Sequence, residues 1–172
     1  ECFGYESQKQ ELIRQGQLFD YSDNDAEFCL ALYERHGERA LGLLSGSYCF
    51  ALYDLAKGEL LLVNDRLGTR PIFYAGIPDG RLIFSSQVSS VLCSPLVSRE
   101  LNVEAVMEFC ALQRVLGTKT YHQGVRMLPP ASVLRYCAGS FSITSYWQLD
   151  YCPVPGTHDE YAEMLATAMK HS

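Results

Sequence analysis

Basic charge is scarce in this chain: 14 Lys and Arg face 20 Asp and Glu across 172 residues, giving a net charge of −6 and a pI near 5.2. Nucleic-acid binders normally show the opposite balance, which disfavours that class. Long hydrophobic runs are absent as well. The most apolar stretch, Ala40 to Leu55, is interrupted by Ser45, Gly46, Ser47 and Asp54 and is too polar to span a bilayer. The opening Glu1-Cys2-Phe3-Gly4 has neither the basic nor the apolar region of a signal peptide. Closely spaced cysteines are missing too. The seven, at positions 2, 29, 49, 93, 110, 137 and 152, form no C-x-x-C or other metal-binding spacing. Their number is odd and several sit inside apolar runs, so they read as reduced, buried thiols of a cytoplasmic protein. His36, His122, His158 and His171 share no ligand spacing, and no metal site is expected. There is no G-x-S-x-G nucleophile elbow and no Gly-Lys-Ser/Thr phosphate loop. Leu44-Ser45-Gly46-Ser47 precedes a strand, the wrong order for cradling phosphate on a helix N-terminus.

What remains is enough to fold. Apolar residues make up 48% and charged residues 20%, a balance that excludes disorder. At this length a core forms without metal or disulfide staples. Residues 7–15 read as a short amphipathic helix closed by Gly16. A second helix spans Asp25 to His36 with Gly37 past its end, and Asn24 with Glu27 fits the spacing of a capping box. The period then changes from helical to extended. Residues 47–54 and 59–63 form one hairpin around Lys57-Gly58, with strands apolar on both faces. Residues 71–75 and 81–85 form a second around Pro78-Asp79-Gly80, and residues 133–136 and 141–144 a third. A helix over 102–112 opens on Asn102. The alternation predicts an α+β arrangement of antiparallel sheets covered by helices.

Two segments carry candidate chemistry. In Asp65-Arg66-Leu67-Gly68-Thr69-Arg70-Pro71, a glycine three residues after an aspartate marks a tight turn whose carboxylate can accept backbone N–H bonds. Pro71 then restarts an extended strand, so Asp65, Gly68 and Pro71 read as a structural loop. Asp23-Asn24-Asp25-Ala26-Glu27 places carboxylates at a helix start. The helix dipole alone favours them there by about 0.3–1 kcal/mol, and the alternative is a carboxylate facing a cleft to pair with a substrate ammonium.

Several motifs in order resemble the class II glutamine amidotransferase domain of glutamine-hydrolysing asparagine synthetases. Asp25-Ala26-Glu27 followed by Leu32-Tyr33-Glu34-Arg35-His36-Gly37 is similar to that family's S-D-T-E…L-Y-E-x-x-G. Residues 45–54 resemble its G-M-F-A-F-A-x-x-D strand, and residues 65–74 its D-R-F-G-x-K-P-L-Y-Y. Phe84-Ser85-Ser86-Gln87 stands at its F-A-S-E, residues 124–130 at G-V-x-x-L-P-P-G, and Tyr146-Trp147-Gln148-Leu149 at Y-W-D-L. Gln87 replaces the usual Glu, and Asn64 stands where Arg is usual.

The resemblance implies an N-terminal-nucleophile hydrolase type αββα sandwich, two antiparallel sheets between helical layers, truncated at its N-terminus. It implies glutamine as substrate, with Asp25 contacting the α-amino group and Glu1 a lesser contact. The nucleophilic cysteine would lie upstream of this chain, because Cys2 has a residue before it and lacks the free α-amine used as base. Residues 1–150 would be an incomplete glutaminase domain and 151–160 a linker. Residues 161–172 would open an ATP-pyrophosphatase synthetase domain that uses ATP and magnesium to amidate aspartate. The chain is thus expected to be a piece of a longer cytoplasmic ligase, possible as a homodimer, inactive alone and without cofactors of its own. Relatives such as β-lactam synthetases and peptide-cyclising enzymes keep this fold without the nucleophile. A non-catalytic docking domain is therefore the alternative, and a stand-alone glutamine sensor a third reading.

Overall fold

The computed structural model describes residues 2–21 and 24–171; Glu1 and Asp23 lie outside them. In chain order the strands are β1 (Cys49–Asp54), β2 (Glu59–Asn64), β3 (Phe73–Gly76), β4 (Leu82–Ser85), β5 (Arg126–Met127), β6 (Ser132–Cys137) and β7 (Ser140–Ser145). The helices are α1 (Glu6–Arg14), α2 (Asp25–His36), α3 (Ala40–Leu43), α4 (Val88–Leu92), α5 (Val103–Leu112) and α6 (His158–His171). All strand pairs are antiparallel, in one sheet ordered β1-β2-β6-β7 and another ordered β4-β3-β5.

Period-two alternation in β2 explains how the sheets stack. Leu61 and Val63 face one way, into a core with Phe28, Ala31 and Leu32 of α2 and Leu41 of α3. Leu62 faces the other way, into a core with Leu134 from its own sheet, Tyr74 from the second, and Ile72 and Leu128 flanking β3 and β5. Across the second sheet, Ala75 and Val125 pack with Val91 of α4 and Val97. The layers therefore run helix, sheet, sheet, helix. Each fully buried Leu contributes roughly 1.5–3 kcal/mol to holding them together.

Local chemistry sets the connections. Asp54 Oδ1 accepts the N–H groups of Ala56 and Lys57 at 3.1 Å each, and Gly58 N–H reaches Asp54 O at 2.8 Å, which closes the β1–β2 turn. The tips of the other two hairpins meet. A Cβ on Gly80 would lie 2.9 Å from the Gly139 carbonyl oxygen, and Gly80 itself has φ +90°. At the end of β2, buried Asn64 donates to the Leu128 and Pro129 carbonyls (3.2 and 2.7 Å) and accepts from Ser132 N–H (3.0 Å). That amide fastens the Gly124–Pro130 motif to the first sheet.

Three expectations need correcting. Asn24 does cap α2, but Glu27 accepts the N–H groups of Asp20 and Tyr21 rather than completing a reciprocal box. Helix α6 starts at His158, inside the stretch read as linker, because Thr157 and Glu160 cap each other: Glu160 Oε2 accepts Thr157 N–H (2.7 Å) and Thr157 Oγ1 accepts Glu160 N–H (3.4 Å). Of the seven thiols only Cys2 is buried; Cys93, Cys110 and Cys152 are exposed. Sitting in an apolar run did not bury Cys49, since β1 is an edge strand.

Candidate functional site

The start of α2 and the exposed edge of β1 enclose a cleft of about 630 Å³. Asp25, Ala26, Cys29 and Leu30 of α2 form one wall, residues 47–53 another, and Cys2 and Arg70 complete it. Among the described residues that line it, the charged ones are Asp25 and Arg70.

Asp25 reaches this hollow because its neighbour does the capping. Asn24 Oδ1 accepts the N–H groups of Ala26 (3.1 Å) and Glu27 (3.4 Å). The adjacent carboxylate, at the first helical position, turns instead to the segment at Cys2, and its Oδ2 accepts Cys2 N–H at 2.9 Å. That segment is held from its other side by the Cys2–Gly46 bridge and by Phe3 N–H on the Ser45 carbonyl (2.8 Å). One turn along α2, Cys29 Sγ lies 3.7 Å from Cys2 Sγ. A Cys29 S–H donated to Cys2 holds the Cys2 thiol below its ordinary value, against the opposing effect of burial. The same bond, with burial, pushes Cys29 well up.

Arg70 is positioned by the Asp65 loop. Asp65 is 1% exposed and accepts from Leu67 N–H (3.0 Å) and Thr69 N–H (3.1 Å) on Oδ1. Its Oδ2 accepts from Thr69 Oγ1–H (2.7 Å), Arg70 N–H (3.3 Å) and Tyr48 N–H (3.3 Å). Burial pushes the Asp65 carboxyl upward, but these bonds outweigh it and leave it below the ordinary carboxylate value. Gly68 turns the loop at φ +65°, 3.1 Å below Pro130 for an added Cβ, and the chain passes through Pro71 into β3. The loop thus holds together Tyr48 and Arg70, both on the cleft. Beside it, Tyr48 O–H donates to Tyr146 Oη (3.1 Å), which donates to the Asn64 carbonyl (2.7 Å).

Asp25 therefore faces the cleft, Asp65, Gly68 and Pro71 form a loop at its side, and Glu1 lies outside the described residues. Sequence reasoning singles out neither Arg70 nor the Cys2–Cys29 contact. Asn64 and Gln87, the two departures from the family pattern, part company here: Asn64 is a buried anchor, whereas Gln87 is an exposed residue preceding α4. Among the described residues, no group of three or more His, Cys, Asp or Glu side chains is placed to hold a metal ion, and no helix is long and apolar enough to cross a membrane.

Residues 1–147 match the family model described as glutamine amidotransferase domain. The chain is similar to asparagine synthetase (glutamine-hydrolyzing) 3 of Bacillus subtilis, at 26% identity over 152 residues, 87% of this chain and 24% of that protein. It is also similar to the asparagine synthetase (glutamine-hydrolyzing) of Mus musculus, at 32% identity over 93 residues, 53% of this chain and 17% of that protein. The chain thus spans about a quarter of the first relative's length, and less of the second's. Among solved structures it resembles the glutamine phosphoribosylpyrophosphate amidotransferase of B. subtilis, with a TM-score of 0.56 and 19% identity over 84% of this chain and 27% of that one. At that identity the likeness shows the fold alone: two antiparallel sheets between helical layers, of the N-terminal-nucleophile type.

Proposed function

The chain belongs to the glutamine amidotransferase domain family, and from that premise we propose that it forms the glutamine-gripping part of a glutamine-dependent asparagine synthetase. The observation that carries the reading is Asp25 at the first turn of α2, lining the cleft and fastened to Cys2 N–H. In this role its carboxylate receives the α-ammonium of glutamine. A carboxylate offers about four acceptor positions, so one oxygen can hold a backbone N–H and still meet a ligand cation. The opposite charges of Asp25 and Arg70 on one apolar-walled cleft suit a zwitterionic amino acid.

No side chain of this chain serves as nucleophile in the reading. A thiol from a segment preceding Glu1 attacks the carboxamide carbon, ammonia leaves, and water releases glutamate from the thioester. The ammonia passes to a synthetase domain, entered through the stretch after residue 150 and α6, where aspartate is amidated. ATP and magnesium belong to that domain, and no step here passes through them.

Binding of L-glutamine to the protein, compared with 4-carbamoylbutanoate, tests the assignment. The analogue keeps the carboxamide and carboxylate and lacks the ammonium. Asp25→Asn removes a charge-assisted bond worth about 1.5–3 kcal/mol, so glutamine affinity should fall roughly 10- to 100-fold while the analogue's stays level. Equal glutamine affinity in variant and wild type overturns the reading. The 172-residue chain alone should release no glutamate from glutamine, and measurable turnover would contradict an external nucleophile.

A further inference from the structure

The cleft holds a feature that glutamine binding does not use: two thiols in contact. We propose that Cys2 and Cys29 form an intramolecular disulfide when the protein meets a small oxidant such as hydrogen peroxide, making this pair a redox modification site. The bond itself does not rest on the glutamine reading.

The geometry argues for it in three ways. The sulfurs are 3.7 Å apart although the residues are 27 apart in sequence, so the fold has already brought them together. A disulfide of about 2.0 Å needs them to close by less than 2 Å, within the reach of side-chain rotation. Both residues line the cleft, which gives a peroxide molecule a path to the pair although Cys2 is otherwise buried. Neither backbone is free to withdraw: Cys2 is bridged to Gly46 and bonded to Asp25, and Cys29 sits within α2.

The chemistry balances with peroxide as oxidant. Cys2 thiolate attacks one peroxide oxygen, the O–O bond breaks, and hydroxide leaves, giving a sulfenic acid on Cys2. Cys29 sulfur then attacks the Cys2 sulfur and expels the sulfenic oxygen as hydroxide. The two thiol protons convert both hydroxides to water, so two thiols and one peroxide become one disulfide and two waters. The lowered Cys2 thiol favours it as the first to react, since the thiolate is the nucleophile.

Its consequence reaches Asp25, whose Oδ2 holds the Cys2 N–H. Fixing Cys2 to α2 would fix the hydrogen-bond partner of the proposed ammonium-binding carboxylate, so oxidation deepens the glutamine reading into a regulated site. That second step does rest on the proposed function.

Peptide mapping tests the bond independently of any ligand. The protein is treated with graded hydrogen peroxide, remaining thiols are blocked with N-ethylmaleimide, and the unreduced chain is digested with trypsin. The expected product joins the peptide holding Cys2, which ends at Lys9, to the peptide Gln15–Arg35, lighter by two hydrogens and separable by dithiothreitol. Two alkylatable thiols are lost with it. In Cys29→Ser at the same dose, Cys2 should be trapped by dimedone as sulfenic acid. The proposal is overturned if Cys2 and Cys29 both remain alkylatable at doses that oxidise exposed Cys93, Cys110 and Cys152, or if Cys2 pairs with another cysteine. Should the variant fail to fold, the wild-type map decides. Glutamine titration before and after oxidation then reads the regulatory step. An unchanged affinity in the presence of the linked peptide removes the regulation and leaves the disulfide standing.

Discussion

Replacing Asp65 by Asn changes one atom of a buried side chain and should cost the fold several kilocalories. Oδ1 serves two backbone N–H groups, those of Leu67 and Thr69. Oδ2 serves another two, of Tyr48 and Arg70, together with the Thr69 hydroxyl. An amide keeps one acceptor and turns the other into a donor, so either orientation leaves two backbone donors facing an NH₂ group. Only the hydroxyl can rotate to adapt. Each orphaned buried donor costs about 1–3 kcal/mol, which places the loss at about 4 kcal/mol. For a chain of this size that lowers Tm by roughly 8–16 °C. Thermal unfolding followed by circular dichroism at about pH 7 reads the effect, and a drop under about 2 °C refutes the reasoning. A pH series supplies a second check. The folded-state carboxyl lies below its ordinary value of 3.8, so its contribution is full above that value and is lost as pH falls through the lower folded-state pKa. The gap between wild type and variant should therefore be constant above about pH 5 and narrow below about pH 4.

Other substitutions probe the layers and their fastenings. Leu62→Ala empties a fully buried site between the sheets and should cost about 2–5 kcal/mol in urea unfolding; a loss below 1 kcal/mol would mean the sheets do not pack there. Asn64→Ala strands Ser132 N–H and the Leu128 and Pro129 carbonyls, an expected loss of about 2–4 kcal/mol, with faster hydrogen exchange at Ser132 as its local signature. Gly80→Ala forces a Cβ to within 2.9 Å of the Gly139 carbonyl at φ +90° and should destabilise by about 1–3 kcal/mol; an unchanged Tm would show that the two hairpin tips do not meet.

Local chemistry made much of this fold readable. Asn24 and Gly37 bracket α2 at its observed ends, and the apolar runs around Lys57-Gly58 mark β1 and β2. What escaped was either short or distant. Helix α4 has five residues and β5 two, too few to show a period. The pairing of β2 with β6 joins Leu62 to Leu134 across a long sequence gap that no local pattern encodes. The same division holds for the cleft. The place of Asp25 at the head of α2 was legible because helix starts have a signature. Arg70 and the Cys2–Cys29 contact were not, since the Asp65 loop places the first and the bridge to Gly46 the second.

At the head of α2 two duties are divided between neighbours. Asn24 satisfies the first free N–H groups of the helix, and that leaves Asp25 able to look elsewhere. Remove the amide and the vacancy invites the aspartate to swing back over its own helix, as aspartates at such ends readily do. On the proposed function, a change of residue 24 would then weaken glutamine binding without touching the cleft, and a loss that reads as a folding defect would in truth be a carboxylate reassigned.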